Sequence, residues 1–145
     1  MALALRLIGS GLCPPVLQLA QVGYDTHAHQ AHAHQAQGHG RVLKELAVAL
    51  AGLDAGLERL SDRPPVTLLA VSEFGRRLQE NASGGTDHGA ASIALLLGDQ
   101  LPQPFIGTYP ILSQLDDRGD LIAGLSPVDL YRQVLACAGV PGRGP

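Results

Sequence analysis

The sequence has little of several features that would place a protein in a common binding class. Aromatic residues make up only 3% of its 145 residues and tryptophan is absent, so the base-stacking platforms of single-strand binders are not expected. The ten lysine and arginine residues are scattered and the net charge is -3, which argues against a nucleic-acid partner. No apolar run approaches the roughly 20 residues of a membrane-spanning helix, so we expect no membrane span.

Cysteine is equally scarce. Cys13 and Cys137 lie far apart, and neither belongs to a CxxC pair or to a cysteine and histidine cluster with zinc-finger spacing. We expect two buried or free thiols, with a disulfide between them as the alternative. The first twelve residues lack the pattern of a secretion signal, so the sequence predicts no compartment for the chain.

Hydrophobic residues, by contrast, make up 46% of the chain, which is enough for the core of a single domain over residues 1–145. Leucines that recur every three or four positions predict a long amphipathic helix from about residue 37 to about residue 60. Ser126, followed by Pro127, predicts the start of a last helix. The other predicted elements are a helix over 2–9 and strands over 16–22, 66–71 and 92–97.

Strands and helices that alternate in this way are typical of an α/β layered fold with a mainly parallel sheet. The uninterrupted apolar character of the strands agrees with this interpretation, because parallel sheets are covered on both faces. Functional loops in such sheets gather at the carboxyl ends of the strands. Two polar motifs directly follow predicted strands, so we expect them to meet at one edge of the sheet.

The first motif is GYDTHAHQ, over residues 23–30. Asp25 and a histidine close behind it, His27 or His29, offer a carboxylate oxygen and an imidazole nitrogen, a combination that suits zinc or another divalent transition ion. His32 and His34 follow in a tract rich in alanine, histidine and glutamine. The ordinary interpretation of that tract is a solvated low-complexity segment.

The second motif is SEFGRRLQENASGGTDHGAAS, over residues 72–92. Asp87 and His88 lie between glycines, which predicts a turn whose backbone can come close to an ion. The alternative is a surface turn in which Asp87 caps the following segment. Glu73 and Arg76 are candidates for orienting ligands or holding an anionic substrate, with a plain surface ion pair as the alternative.

In sequence order, GYDTHAHQ, LKEL in the long helix, VSEFGRRLQENASGGTDHG and LLLGD resemble the C-terminal half of a bacterial sulfatase-like family of unknown function within the alkaline phosphatase superfamily. The resemblance extends from about residue 5 to about residue 140. It implies a layered alkaline-phosphatase-like fold whose N-terminal half is missing. It also implies metal-dependent hydrolysis of a small anionic substrate, a phosphate or sulfate ester.

The resemblance implies a set of metal ligands. In the superfamily, an Asp-His pair followed by Gly usually binds one metal, which matches Asp87 and His88. An Asp with a histidine shortly downstream binds the neighbouring metal, which matches Asp25. The family pattern favours His27 as the partner of Asp25, whereas the spacing common in the wider superfamily favours His29.

His39, at the start of the long helix, is a further candidate ligand within the same resemblance. Zinc is the first candidate ion, with manganese and calcium as alternatives. Two cations about 4 Å apart can hold the attacking and leaving oxygens of an in-line displacement at phosphorus or sulfur.

In the superfamily, the nucleophile and a further Asp ligand come from the N-terminal half. The catalytic residue is therefore not identified here, and we expect the chain to be inactive without a partner that supplies that half. Full-length relatives are expected to be exported to the periplasm. Two alternative functions remain, a non-catalytic remnant and a His-rich module that sequesters metal ions.

Overall fold

The computed structural model describes residues 1–30, 33–101 and 105–139, and for residues 33–38 the helical backbone alone. The chain divides into two compact units. The first consists of Met1–Pro64 together with Ala82–Gly85, and the second consists of Pro65–Asn81 together with the chain from Thr86 onward. The elements in order are α1 (Ala2–Gly9), α2 (Ala33–Glu58), β1 (Thr67–Val71), β2 (Gly75–Glu80), β3 (Thr86–Gly89), β4 (Ala94–Gly98) and α3 (Pro127–Cys137).

The first unit is built on the packing of α1 against α2. Ala4 and Ile8 of α1 are buried, as are Val42, Leu53 and Leu57 of α2. The predicted helices over 2–9 and 37–60 are confirmed, although α2 begins four residues earlier and ends at Glu58. None of the helices within the described ranges combines the length and the apolar character that crossing a bilayer requires.

The strand predicted over residues 16–22 is wrong. This described segment forms neither helix nor strand, and its branched side chains are turned to solvent, with Val22 86% exposed. A run of residues with high β propensity forms a strand only where a neighbouring strand pairs with it. Without such a partner, the segment runs as irregular chain from α1 towards α2.

The second unit contains two antiparallel strand pairs. β1 pairs with β4, in a register that places Thr67 opposite Gly98 and Val71 opposite Ala94. β2 pairs with β3 to form a hairpin. The fold class predicted from the sequence, a layered alkaline-phosphatase-like fold with a mainly parallel sheet, is therefore wrong for the residues described.

The antiparallel arrangement has a local cause. Parallel neighbours need a crossover connection of a dozen or more residues, usually a helix. Among the residues described, no strand precedes α2, so they contain no strand–helix–strand unit. The β2–β3 hairpin lies between β1 and β4 in the sequence. After it, β4 pairs with β1 in the antiparallel direction.

The remaining local predictions fare better. The strands predicted over 66–71 and 92–97 correspond to β1 and β4. The last helix begins as its sequence indicates, with Ser126 Oγ accepting the backbone N–H of Asp129 and Pro127 at the first helical position. Cys13 and Cys137 are both free thiols.

A tight loop over residues 115–121 also belongs to the second unit. Its two ends meet in an antiparallel bridge between Leu115 and Leu121. Inside the loop, one carboxylate oxygen of Asp116 accepts the backbone N–H groups of Arg118 and Asp120, at 2.9 and 2.8 Å. These N–H groups lower the pKa of the Asp116 carboxyl, that of Asp120 having the largest effect.

Asp116 should therefore give the protein a pH-dependent contribution to stability. Because its folded pKa is depressed, the contribution is present above the unfolded pKa of about 3.9 and is lost as the pH falls through the folded value. Asp116→Asn imitates the protonated carboxyl, so it should lower the melting temperature at pH 6 and lower it less as the pH falls towards 2. Thermal unfolding followed by circular dichroism checks this, with Asp117→Asn as the neighbouring control. An equal loss at both pH values would contradict the explanation.

Candidate metal centre

The segment that carries Asp25 is fastened to helix α2 inside the first unit. Gln21 Nε2 donates to the backbone oxygen of Val42 at 3.0 Å, and the Tyr24 hydroxyl donates to Gln21 Oε1 at 3.0 Å. Val42 itself is only 2% exposed. A carbonyl oxygen has two lone pairs, so that of Val42 can accept Gln21 in addition to its helical bond. Gln21 and Tyr24, which lie on either side of Gly23, thus fix the position of the segment that leads to Asp25.

Tyr24 also has a ring partner. Burial, and secondly the Glu45 carboxylate, raise the pKa of its hydroxyl, so it stays protonated and remains a donor. Its ring lies edge-on to the imidazole of His39, with the two ring centroids 6.1 Å apart. His39 therefore has an aromatic contact in the first unit, and its role as an ion ligand stays a prediction.

The centre of the site is the pair Asp25 and His27. His27 Nε2 lies 3.0 Å from Asp25 Oδ1, and both side chains are exposed. Zinc lies roughly 2.0–2.2 Å from nitrogen and carboxylate ligands, so two ligands of one ion are about 3 Å apart. The pair can exist as a hydrogen bond or can hold an ion between its two atoms. Of the two histidines offered by the sequence, the one beside the Asp25 carboxylate is His27.

The loop after Asp25 packs on the tip of the hairpin, Ala82–Gly85, which belongs to the same unit. The backbone N–H of His29 donates to the carbonyl oxygen of Ser83 at 2.7 Å. His29 has a φ of 54°, in the left-handed region that non-glycine residues seldom adopt. Gly85 lies directly against the backbone of His27, where an added Cβ would come within 2.7 Å of the carbonyl carbon and would overlap the oxygen.

Asp87 and His88 lie in the second unit, on strand β3. The turn predicted for them is wrong, because the turn ends before Thr86 and both residues are extended. Successive side chains of a strand point to opposite faces, so the two do not share a face. Asp87 Oδ1 accepts from Asn81 Nδ2 at 3.0 Å, whereas His88 lies opposite Arg76 in the hairpin register.

One contact of His88 was not foreseen from the sequence. The Phe74 ring is stacked on the imidazole, with centroids 3.7 Å apart and planes inclined by 9°. Arg76 is also near this ring, its guanidinium carbon 5.0 Å from the Phe74 centroid. The signal available in the sequence was the position of Phe74 two residues before Arg76, which becomes meaningful only once the hairpin register is known.

The residue types suit a transition ion. A carboxylate oxygen and an imidazole nitrogen, from Asp25 and His27, are donors that zinc accepts, whereas calcium prefers oxygen ligands throughout. Both side chains are exposed and each offers one ligand atom. His32 and the side chain of His34 lie outside the described residues, so neither imidazole has a stated distance to Asp25 or His27.

Comparison with known proteins identifies a family for the chain and no activity. The profile of a protein family described as "Protein of unknown function (DUF1501)" matches residues 1–132. No curated protein and no solved structure matches the chain.

Proposed function

The chain belongs to the DUF1501 family, and we propose that it binds a divalent transition ion, zinc first, through Asp25 and His27. The observation that carries the proposal is the 3.0 Å approach of His27 Nε2 to Asp25 Oδ1 in a loop fixed at both ends. Manganese is the alternative ion. Calcium is less suited, because imidazole nitrogen is not among its preferred ligands.

We further propose that the ion serves the hydrolysis of phosphate or sulfate esters. This step is supported by the likeness of the GYDTHAHQ and GGTDHG segments to sulfatase-like proteins. A bound divalent ion polarises an ester oxygen and lowers the pKa of an attacking group. The residues of the chain would hold and orient that ion, and no residue described here is assigned as the nucleophile.

Zinc should raise the melting temperature of the metal-free chain. At ten times its dissociation constant, a ligand that binds only the folded state adds about 1.4 kcal/mol, or roughly 5 °C for a chain of this size. Asp25→Ala and His27→Ala should each remove most of the shift. The measurement is thermal unfolding with and without zinc, after calorimetry has given the dissociation constant.

His29→Asn is the matched control, because asparagine tolerates a positive φ and removes the imidazole two residues from His27. It should keep the full zinc shift. A double change of His32 and His34 to asparagine should also keep it. If the tract variant loses binding and His27→Ala retains it, the chain is a sequestering module. A folded sample with no zinc shift at all would overturn the proposal and favour a non-catalytic remnant.

The same sample separates ion binding from ester chemistry. Phenyl phosphate, a soluble ester, should bind the zinc-loaded chain and fail to bind the metal-free chain, as followed by calorimetry. Zinc binding without any affinity for the ester would leave the ion site in place and refute the hydrolase part of the proposal.

A further inference from the structure

Gln30 makes a side-chain contact that the proposed ion site does not yet explain. Its Nε2 donates to Thr26 Oγ1 at 3.0 Å and also to the backbone oxygen of Thr26. A carboxamide nitrogen carries two N–H groups, so it can serve both acceptors together. Thr26 stands between Asp25 and His27 in the sequence. The amide of Gln30 therefore holds the chain at the position that separates the two proposed ligands.

The exposure of the side chains alternates along this part of the loop. Thr26 is half-buried, whereas Asp25 and His27 on either side of it are exposed. Gln30 is half-buried as well. A hydrogen bond between partly buried groups is stronger than one in open water, because the local dielectric constant is lower. The contact of Gln30 with Thr26 is thus made on the covered side of the loop, while the two ligand side chains stay accessible to an ion.

Both peptide groups that flank Thr26 are hydrogen-bonded. The carbonyl oxygen that accepts from Gln30 belongs to the peptide group that joins Thr26 to His27. The N–H of Thr26 belongs to the peptide group that follows Asp25, and it donates to the backbone oxygen of Tyr24 at 3.0 Å. A peptide group is planar, so a hydrogen bond to it restrains the backbone on both of its sides. The Cα atoms from which the two ligand side chains extend are restrained in this way.

The backbone that carries Gln30 is itself held in place. The residue before it, His29, has a φ of 54°, and its N–H donates to the carbonyl oxygen of Ser83 at 2.7 Å. Gln30 follows this bend directly, so its side chain returns to Thr26 from an anchored point of the loop. All of these residues belong to the first compact unit.

We propose that Gln30 is a positioning residue for the ion, because its carboxamide fixes the backbone between Asp25 and His27 at the separation that zinc requires. Ligands must be held within about 0.5 Å of their productive positions. Removing a group that orients metal ligands usually lowers metal affinity by about 10- to 100-fold. The inference rests on the proposed function, since it requires Asp25 and His27 to be ligands. Gln30 acts through Thr26 and is not assigned as a ligand.

Gln30→Met keeps the length of the side chain and removes its amide. We expect it to weaken zinc binding about tenfold, measured by calorimetry on the full chain at a temperature where the metal-free variant is folded. Gln30→Asn keeps the amide and is one methylene shorter, so its amide falls short of Thr26 and the loss should be similar. Gln18→Met makes the same change at an exposed glutamine of the same unit and should leave zinc affinity unchanged.

A second background separates positioning from folding. In a chain that already carries His27→Ala, adding Gln30→Met should change the residual zinc affinity less than twofold, because no ligand pair is left to be positioned. Equal losses in both backgrounds would show a role confined to folding and would overturn the inference. Equal affinities of Gln30→Met and the unaltered chain would also overturn it and leave the proposed function standing. Failure of the unaltered chain to bind zinc would overturn the proposed function itself, so the two failures are distinguishable.

Discussion

Gly75→Ala is expected to destabilise the chain by about 3 kcal/mol or more and to lower its melting temperature by roughly 10 °C. Gly75 is buried at the start of β2. A Cβ built there would overlap the backbone oxygen of Ala91 and would lie 3.1 Å from the oxygen of Gly89. Both obstacles are main-chain atoms, so neither can move away by rotation of a side chain.

Relieving the overlap requires the two ends of the hairpin to separate. Thermal unfolding without metal measures the loss of stability.

The same substitution at an open position gives the control. Gly40 is in helix α2, and nothing lies within 4 Å of a Cβ added there. Alanine is the better helix former, so Gly40→Ala should stabilise by about 0.5–1 kcal/mol. A Gly75→Ala protein that melts within 2 °C of the unaltered chain would show that this backbone approach is absent in solution.

The elements that the sequence predicts correctly are those whose signals are local. Leucine spacing defines α2, and the Ser126 cap with Pro127 defines the start of α3. Strands β1 and β4 are short apolar runs that can be recognised in the sequence. What local patterns leave open is which strand pairs with which, and in which direction. The apolar run over 16–22 looked like a strand, yet it pairs with no strand in the described part of the chain.

The hairpin was missed although its loop carries a signal. Five residues with two glycines, over 81–85, separate β2 from β3, a length typical of hairpin connections. The flanking strands themselves are poor in β-branched residues, and GRRLQE and TDHG have little intrinsic preference for a sheet. Their strand conformation is stabilised by pairing with each other, which the composition of either segment does not reveal.

For the candidate site, the sequence predicted a pair made of Asp25 and a nearby histidine and left open which histidine it is. The close spacing of Asp25 and two histidines indicated a ligand pair. Which imidazole lies beside the carboxylate depends on the bend of the loop, including the positive φ at His29, and a spacing carries no information about that bend. The separation of Asp87 from His88 likewise follows from the strand conformation of β3 alone.

Gly85→Ala is the sharpest test of that loop. Gly85 is buried, and a Cβ would overlap the backbone oxygen of His27 and lie 3.0 Å from the nitrogen of Ala28. The hairpin tip must then move away from the loop that carries the ligand. This movement would break the 2.7 Å hydrogen bond from His29 N–H to the oxygen of Ser83. We expect a loss of about 2–3 kcal/mol in stability, or roughly 8 °C in melting temperature.

Zinc binding should suffer at least as much, because ligands must be held within about 0.5 Å of their productive positions. We expect Gly85→Ala to weaken zinc binding by at least tenfold, measured by calorimetry at a temperature where the variant is folded. Gly52→Ala, at an open position of α2 in the same unit, should bind zinc as the unaltered chain does. If Gly85→Ala loses stability and keeps its zinc affinity, the contact of the hairpin tip with the His27 backbone supports the fold alone. The ligands would then be positioned without it.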